Sequence, residues 1–243
     1  MFPADHFYQV YQDRAGNNWL LTDNGLGMIR PGERQPVNYF VETQGKQDGM
    51  NQAFYAVREC EDDICFTSDR GRIWCYQKKS GEFRLHELPT KARITSIHAV
   101  GNDNTVVTTD SDGFFLSNLK TNKHIHYSPV TCKELSDQPI LSAYVDRTSE
   151  VWFEQEEPGV VVHFNPATGV VKREQMRVEY SNADRSRPAF HIHEDIHGHV
   201  WVHPYGGGFS YFDRERNCLV PFYDDLGSNN WRFSNKIHAA FSD

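Results

Sequence analysis

The chain has 243 residues, a formal net charge of −8 and a sequence pI of about 5.8. Nucleic acids and anionic membranes are bound by clustered Lys and Arg, so this charge argues against both as partners. Hydrophobic residues make up only 38% of the chain, but 13% of it is aromatic, which adds buried area per residue. The sequence contains neither a membrane span of roughly 18 apolar residues nor the pattern of a signal peptide.

Two stretches far apart in the chain share one pattern of strands and turns. The first runs from Tyr11 to Ile29 and the second from Ile192 to Phe212. In both, an Asp and a Gly form a tight turn in which the Asp side chain accepts hydrogen bonds from nearby backbone. A strand with a central Trp follows, and then a glycine hairpin turn and a third strand. Two copies of one pattern indicate an internal repeat.

In chain order, alternating apolar and polar residues predict five repeats of this kind. These repeats span residues 6–41, 53–87, 94–127, 140–180 and 189–223, and residues 235–243 begin a sixth. Steps of 46, 42, 46 and 48 residues separate the glycines of the second hairpin, which are Gly25, Gly71, Gly113, Gly159 and Gly207. Four-stranded propeller blades repeat every 40–50 residues or so. The sequence therefore predicts an all-β β-propeller built of four-stranded antiparallel blades.

The sixth repeat stops at Asp243, which aligns with Asp13, Asp146 and Asp195. A chain that ends inside a blade leaves an unpaired strand edge, which natural proteins avoid. We therefore expect the chain to be part of a longer protein. Its five blades and one strand would then belong to a larger, seven-bladed propeller.

The residues that recur in the repeats are expected to be structural. The Asp orders the turn, the Gly supplies a positive φ, and the Trp packs between blades. This structural set is Asp13, Gly16, Trp19, Gly25, Asp146, Trp152, Asp195, Gly198, Trp201 and Gly207.

The five cysteines, at positions 60, 65, 75, 132 and 218, contain no C-x-x-C motif and are odd in number. This pattern predicts no disulfide framework. Cys65 occupies a place where other repeats have a bulky apolar residue, so it is expected to be a small buried hydrophobe.

Binding residues on a repeat scaffold are expected in the loops that differ between repeats. Here those are the interblade loops, which should share one rim with the turns between second and third strands. Aromatic side chains there offer faces to sugar rings, and Arg or Glu can bond hydroxyl and carboxylate groups. The candidate ligand-binding residues are Glu156, Glu157, Arg185, Arg187, His203, Tyr205, Trp231 and Arg232.

Metal binding and catalysis are not predicted. The crowded histidines, His191, His193, His197, His199 and His203, could converge across a hairpin, but their spacing matches no zinc signature. There is no G-x-S-x-G motif, and adjacent acidic residues on a strand point to opposite faces. Paired glycosidase carboxylates, about 5–9 Å apart, would have to come from different blades. We expect no cofactor, no metal and no catalytic residue in this chain.

The segments DRAGNNWLLTDNGL from Asp13 and DIHGHVWVHPYGGGF from Asp195 resemble the two-component regulator propeller repeat. The fourth copy, DRTSEVWFE from Asp146, lacks the turn glycine, and the second and third copies lack both the Asp turn and the Trp. With the repeat period, the resemblance covers nearly the whole chain.

This resemblance implies a sensor region in the periplasm, belonging to a hybrid two-component histidine kinase and response regulator of Bacteroidetes that is anchored in the inner membrane. The implied ligand is an oligosaccharide from glycan breakdown, the implied output is regulation of polysaccharide-utilisation genes, and the parent would be a homodimer. The kinase would lie outside this chain, which itself would contact neither membrane nor nucleic acid. Two alternatives remain: a propeller lyase or glycosidase, and a protein-interaction scaffold.

Overall fold

The computed structural model describes residues 4–40, 52–101, 103–175, 191–203 and 209–221. In these ranges the chain forms 20 β-strands, which make five sheets of four antiparallel strands each. Every sheet is a meander in which each strand pairs with the next along the chain. The predicted all-β class with four-stranded blades is confirmed. The described ranges contain no helix that is long and apolar enough to cross a membrane.

We number the sheets as blades 1 to 5 in chain order. Blade 1 contains β1 Phe7–Gln12, β2 Asn18–Thr22, β3 Gly25–Ile29 and β4 Val37–Tyr39. Blade 2 contains β5 Phe54–Glu59, β6 Asp63–Ser68, β7 Arg72–Gln77 and β8 Phe83–Glu87. Blade 3 contains β9 Ile94–Val100, β10 Asn104–Thr109, β11 Phe114–Asn118 and β12 Lys123–Tyr127. Blade 4 contains β13 Ile140–Val145, β14 Val151–Gln155, β15 Val160–Asn165 and β16 Val170–Gln175. Blade 5 contains β17 His191–Glu194, β18 Val200–His203, β19 Ser210–Asp213 and β20 Cys218–Pro221.

The first strands of successive blades lie next to one another. Strand β1 contacts β5, β5 contacts β9, and β9 contacts β13, so the first strand is the inner strand of its blade. The apolar core is divided among the interfaces between blades, because each sheet buries side chains on both faces. Between blades 1 and 2, for example, Trp19 and Leu21 pack with Phe54 and Phe66.

Backbone hydrogen bonds define one rim of the blades. The amide of Gly25, in the turn between β2 and β3, donates to Gln52 in the segment before β5 at 3.0 Å. The same arrangement joins Gly71 to Ala92 at 3.0 Å and Glu156 to Pro139 at 3.0 Å. Turns between second and third strands therefore share a rim with the interblade segments, as the repeat pattern predicts. We call this the loop rim, and the opposite edge, which carries the Asp turns, the turn rim.

The repeated Asp accepts a hydrogen bond from the repeated Trp in three blades. Donor–acceptor distances from the indole Nε1 to Oδ2 are 2.8 Å for Trp19 to Asp13, 2.9 Å for Trp152 to Asp146 and 2.9 Å for Trp201 to Asp195. The other carboxylate oxygen accepts backbone amides of its own turn in all three blades. One Asp thus fixes both the turn and the orientation of the indole.

The turn itself requires a left-handed residue three positions after the Asp. Gly16 and Gly198 have φ values of 85° and 87° there, which glycine adopts at little cost. Blade 4 has Ser149 instead, and it takes a φ of 66°. Blade 4 therefore keeps the turn conformation although it lacks the turn glycine.

These hydrogen-bonded carboxylates should make the fold sensitive to acid. Burial raises the pKa of Asp13, Asp146 and Asp195, but hydrogen bonds from Trp, backbone and neighbouring side chains outweigh it and lower each pKa from 3.8. A lowered folded-state pKa stabilises the fold above the unfolded pKa and loses that contribution as pH falls through the folded value. We expect the urea midpoint to fall steeply below about pH 4. The Asp13→Asn variant should be less stable than wild type at neutral pH, and its urea midpoint should fall less steeply as the pH is lowered. An equal slope would contradict this role of Asp13.

A second repeated contact ties neighbouring blades together at the turn rim. The Glu59 carboxylate of blade 2 accepts hydrogen bonds from the Tyr11 hydroxyl at 2.8 Å and the Arg14 amide at 3.1 Å, both from blade 1. At the equivalent positions of blades 4 and 5, Glu194 accepts from the Arg147 amide at 2.8 Å and pairs with its Nε at 2.8 Å. We call each contact an interblade clasp.

The prediction of no disulfide is wrong. Cys65 on β6 and Cys75 on β7 lie directly opposite each other, with a Cα–Cα distance of 4.0 Å, and form a disulfide. Both are buried, as expected for Cys65, but as a crosslink and not as a free thiol. Cysteine count and motif spacing cannot show which residues of a hairpin face each other. Among the described residues Cys60, Cys132 and Cys218 are free thiols.

Candidate functional site at the loop rim

The inner strands of the first blades carry a β-bulge at their loop-rim ends. Pairing with the second strand shifts between Phe7 and Gln9 in β1 and between Phe54 and Val57 in β5. Bulges turn a side chain away from the regular alternation and are common beside functional sites. Phe7 and Phe54 pair with the last residues of β2 and β6, so the next residues, Tyr8 and Tyr55, are equivalent.

Tyr8, Tyr55 and Arg93 form a continuous surface at this rim. The ring centroids of Tyr8 and Tyr55 lie 4.9 Å apart, and the Arg93 guanidinium carbon lies 5.1 Å from the centre of the Tyr55 ring. Tyr8 is 48% exposed. The three side chains come from blade 1, blade 2 and the segment entering blade 3. We call them the Tyr–Arg ladder.

Carboxylates from two turns hold the ladder in place. The Tyr55 hydroxyl donates to Asp69 at 3.1 Å. Arg93 bonds Asp110 twice, from its amide at 3.2 Å and its Nε at 3.4 Å. Burial and the adjacent Asp69 raise the pKa of Tyr55 well above its ordinary value, so the phenol stays protonated and keeps donating.

The ladder presents aromatic faces beside one guanidinium and two carboxylates. Such a surface suits a ligand with apolar faces and many hydroxyl groups, because rings stack on the aromatic faces and hydroxyls bond the charged groups. Cation–π contact and the bonds to Asp110 restrict Arg93, which lowers the entropy lost when a ligand orders it.

Three of the predicted site residues lie in the described ranges. Glu156 is exposed in the turn between β14 and β15, and Glu157 is bonded by Arg173 at 2.9 Å, which lowers the pKa of Glu157. His203, at the end of β18, is only 7% exposed, so its imidazole is not presented to solvent. All three belong to blades 4 and 5, away from the ladder. The other candidates lie outside the described residues: Arg185, Arg187, Tyr205, Trp231 and Arg232. The repeat glycine Gly207 also lies outside them.

The histidines of blade 5 take part in the turn and the sheet. His199 Nδ1 contacts Asp195 Oδ2 at 3.0 Å, and His193 pairs with Trp201 across the hairpin. No cluster of three or more His, Cys, Asp or Glu with the arrangement of a metal site occurs in the described part of the chain.

Comparison with known proteins identifies the fold. No protein-family model and no curated protein matches the sequence. Among solved structures, the extracellular domain assigned to the hybrid two component system BT3049 from B. thetaiotaomicron is similar, with a TM-score of 0.65 and 18% identity over 89% of this chain. This chain spans only 30% of that structure.

Two enzymes share the architecture. A streptogramin B lyase has a TM-score of 0.66 and 15% identity, with 90% of this chain and 69% of the lyase covered. Virginiamycin B lyase from Staphylococcus aureus has a TM-score of 0.63 and 13% identity, with 88% of this chain and 68% of the lyase covered. At such identities these likenesses establish the fold. The chain is a set of β-propeller blades, similar in structure to extracellular domains of B. thetaiotaomicron two component systems.

Proposed function

We propose that this chain is the extracytoplasmic ligand-sensing module of a hybrid two-component sensor, and that it recognises an oligosaccharide derived from a glycan. The Tyr–Arg ladder is the observation that carries this proposal, because the adjoining, tilted rings of Tyr8 and Tyr55 and the held Arg93 form an amphipathic surface. The likeness to extracellular domains of hybrid two component systems supports the assignment. In the parent protein, ligand binding would regulate polysaccharide-utilisation genes.

The disulfide supports the proposed location in the periplasm. Disulfides form and persist in oxidising compartments and are rare in the cytosol. The Cys65–Cys75 bond is buried between blades 2 and 3, so it is part of the folded module. The parent would be anchored in the inner membrane, with its kinase outside this chain.

Signalling would follow from the position of the ladder across three blades. A ligand that contacts residues of different blades favours one relative arrangement of those blades, or of two modules in a homodimer. It can shift that equilibrium only by the difference between its affinities for the two arrangements. The module itself needs no catalytic residue for this role.

The direct test is isothermal titration against a panel of neutral and acidic oligosaccharides. Tyr8→Ala and Arg93→Ala should each weaken binding of the recognised sugar about tenfold, because each removes a stacking or charged contact worth roughly 1–2 kcal/mol. Ile125→Ala, which truncates an exposed residue on the outer strand of blade 3, should leave affinity unchanged.

The chemical state of the sugar recovered after incubation with the protein distinguishes a sensor from an enzyme. A sensor returns the sugar intact, and a lyase or glycosidase, the alternative suggested by the fold of the lyases, returns cleaved product. Wild-type affinity in both ladder variants would contradict the site. Binding to none of the sugars, together with capture of a defined protein partner at the loop rim, would favour an interaction scaffold.

A further inference from the structure

A row of polar side chains lies between blades 2 and 3, apart from the ladder. On blade 3, Thr105 is opposite Ser117, and Ser117 is opposite His124, so the three side chains share one face of the sheet. Arg58 of blade 2 reaches this row and donates from Nη1 to the Thr105 hydroxyl. The face that buries the apolar contact between the two blades therefore carries a polar strip at this level.

Arg58 has no negatively charged partner among the described residues. Its only hydrogen bond there is the one to Thr105, although a guanidinium carries five N–H donors. On its own blade it is opposite Cys65, and Cys75 is opposite Arg84, so the disulfide lies between two arginines. A partly buried cation without a counter-charge is unfavourable.

Buried polar atoms without partners lie in the row that Arg58 reaches. The Ser117 hydroxyl is fully buried, and neither it nor Nδ1 of His124 has a hydrogen-bond partner in the described structure. Buried polar atoms are nearly always hydrogen-bonded, so their grouping beside Arg58 points to a missing partner.

We infer that the polar row of Arg58, Ser117 and His124 binds a small oxyanion, meaning a phosphate, sulfate or carboxylate group. Arg58 would donate its free N–H groups in the paired geometry that guanidinium offers to such groups. The Ser117 hydroxyl would donate from blade 3, and His124 would donate from Nδ1 in the tautomer that carries its proton there, with Nε2 accepting from the Asn122 side-chain amide. Adjacent strands are about 4.8 Å apart. An anion centred near Ser117 is therefore within reach of the side chains on the two neighbouring strands, Thr105 on β10 and His124 on β12. A bound anion would link blades 2 and 3.

Thermal unfolding with inorganic phosphate, sulfate and acetate tests this site, against chloride at equal ionic strength. The melting temperature of the disulfide-bonded protein should rise and saturate with at least one anion, because an anion that binds only the folded state stabilises it. Arg58→Met should abolish the saturable rise, and Ser117→Ala should weaken the apparent affinity about tenfold. Arg216→Met, at an exposed arginine of blade 5, is the matched control and should behave as wild type.

Sulfate and phosphate also stabilise proteins in general by exclusion from the surface. A rise that does not saturate, or that is equal in Arg58→Met and wild type, would therefore overturn the inference. The ring resonances of His124 provide a second measurement if Arg58→Met does not fold. They should shift with the same dissociation constant as the thermal effect, and unshifted resonances at saturating anion would also refute the site.

Discussion

Replacing Trp19 with alanine should lower the free energy of unfolding by about 3–5 kcal/mol. The indole is fully buried, with its ring 4.8 Å from Phe66 and 5.1 Å from Tyr76, both on blade 2. Alanine would leave a cavity at the interface of blades 1 and 2, and it would remove the indole donor from the buried Asp13. Urea unfolding followed by circular dichroism measures the loss.

Trp19→Phe separates the two contributions. Phenylalanine retains much of the packing but not the indole N–H, so the free energy of unfolding of Trp19→Phe should lie between those of wild type and Trp19→Ala. Combined with Asp13→Ala in a double-mutant cycle, it isolates the bond between the two side chains. A loss below about 1 kcal/mol in Trp19→Ala would show that this residue does not hold the blades together.

Removing the disulfide should cost about 2–3 kcal/mol of stability. Cys65 and Cys75 are 10 residues apart in sequence, and closing a loop of that size in the unfolded chain accounts for an effect of this magnitude. The double variant Cys65→Ala/Cys75→Ala should unfold at lower urea concentration than wild type. Addition of a reductant to the unfolding mixture should destabilise wild type and not the variant.

Cys132→Ala is the matched control, because it removes a buried cysteine that forms no disulfide. It should leave the effect of reductant unchanged. Thiol labelling of the denatured, unreduced protein should modify Cys60, Cys132 and Cys218 and leave the other two cysteines unlabelled. Labelling of all five would contradict the crosslink.

The repeat architecture could be predicted because its signals are local. The Asp turn, the Trp strand and the hairpin glycine lie within about 15 residues of one another, and their recurrence sets the blade period. Even blades 2 and 3, which lack the Asp and the Trp, form the expected four strands. Their hairpin glycines, Gly71 and Gly113, occur at the spacing of the other repeats, so the blade period could still be recognised.

The disulfide and the Tyr–Arg ladder depend on information that is not local. Cys65 and Cys75 meet through the register of a hairpin, and the ladder joins side chains from three blades through bulged inner strands. One sequence signal pointed to the ladder: the dipeptide Phe-Tyr occurs at the same position of two repeats, at Phe7 and at Phe54. The predicted site residues came from loop composition, which says nothing about how a strand end directs its side chains.

The two interblade clasps lie at two of the interfaces between blades. Glu59 fastens blade 1 to blade 2, and Glu194 fastens blade 4 to blade 5. Blade 3 joins its neighbours through apolar clusters and through hydrogen bonds such as that from Thr95 to the Ile140 carbonyl. In repeat proteins each interface contributes its own nearest-neighbour energy. Loss of one clasp should therefore weaken its own interface, while the inner strands on either side of blade 3, β5 with β9 and β9 with β13, stay in contact.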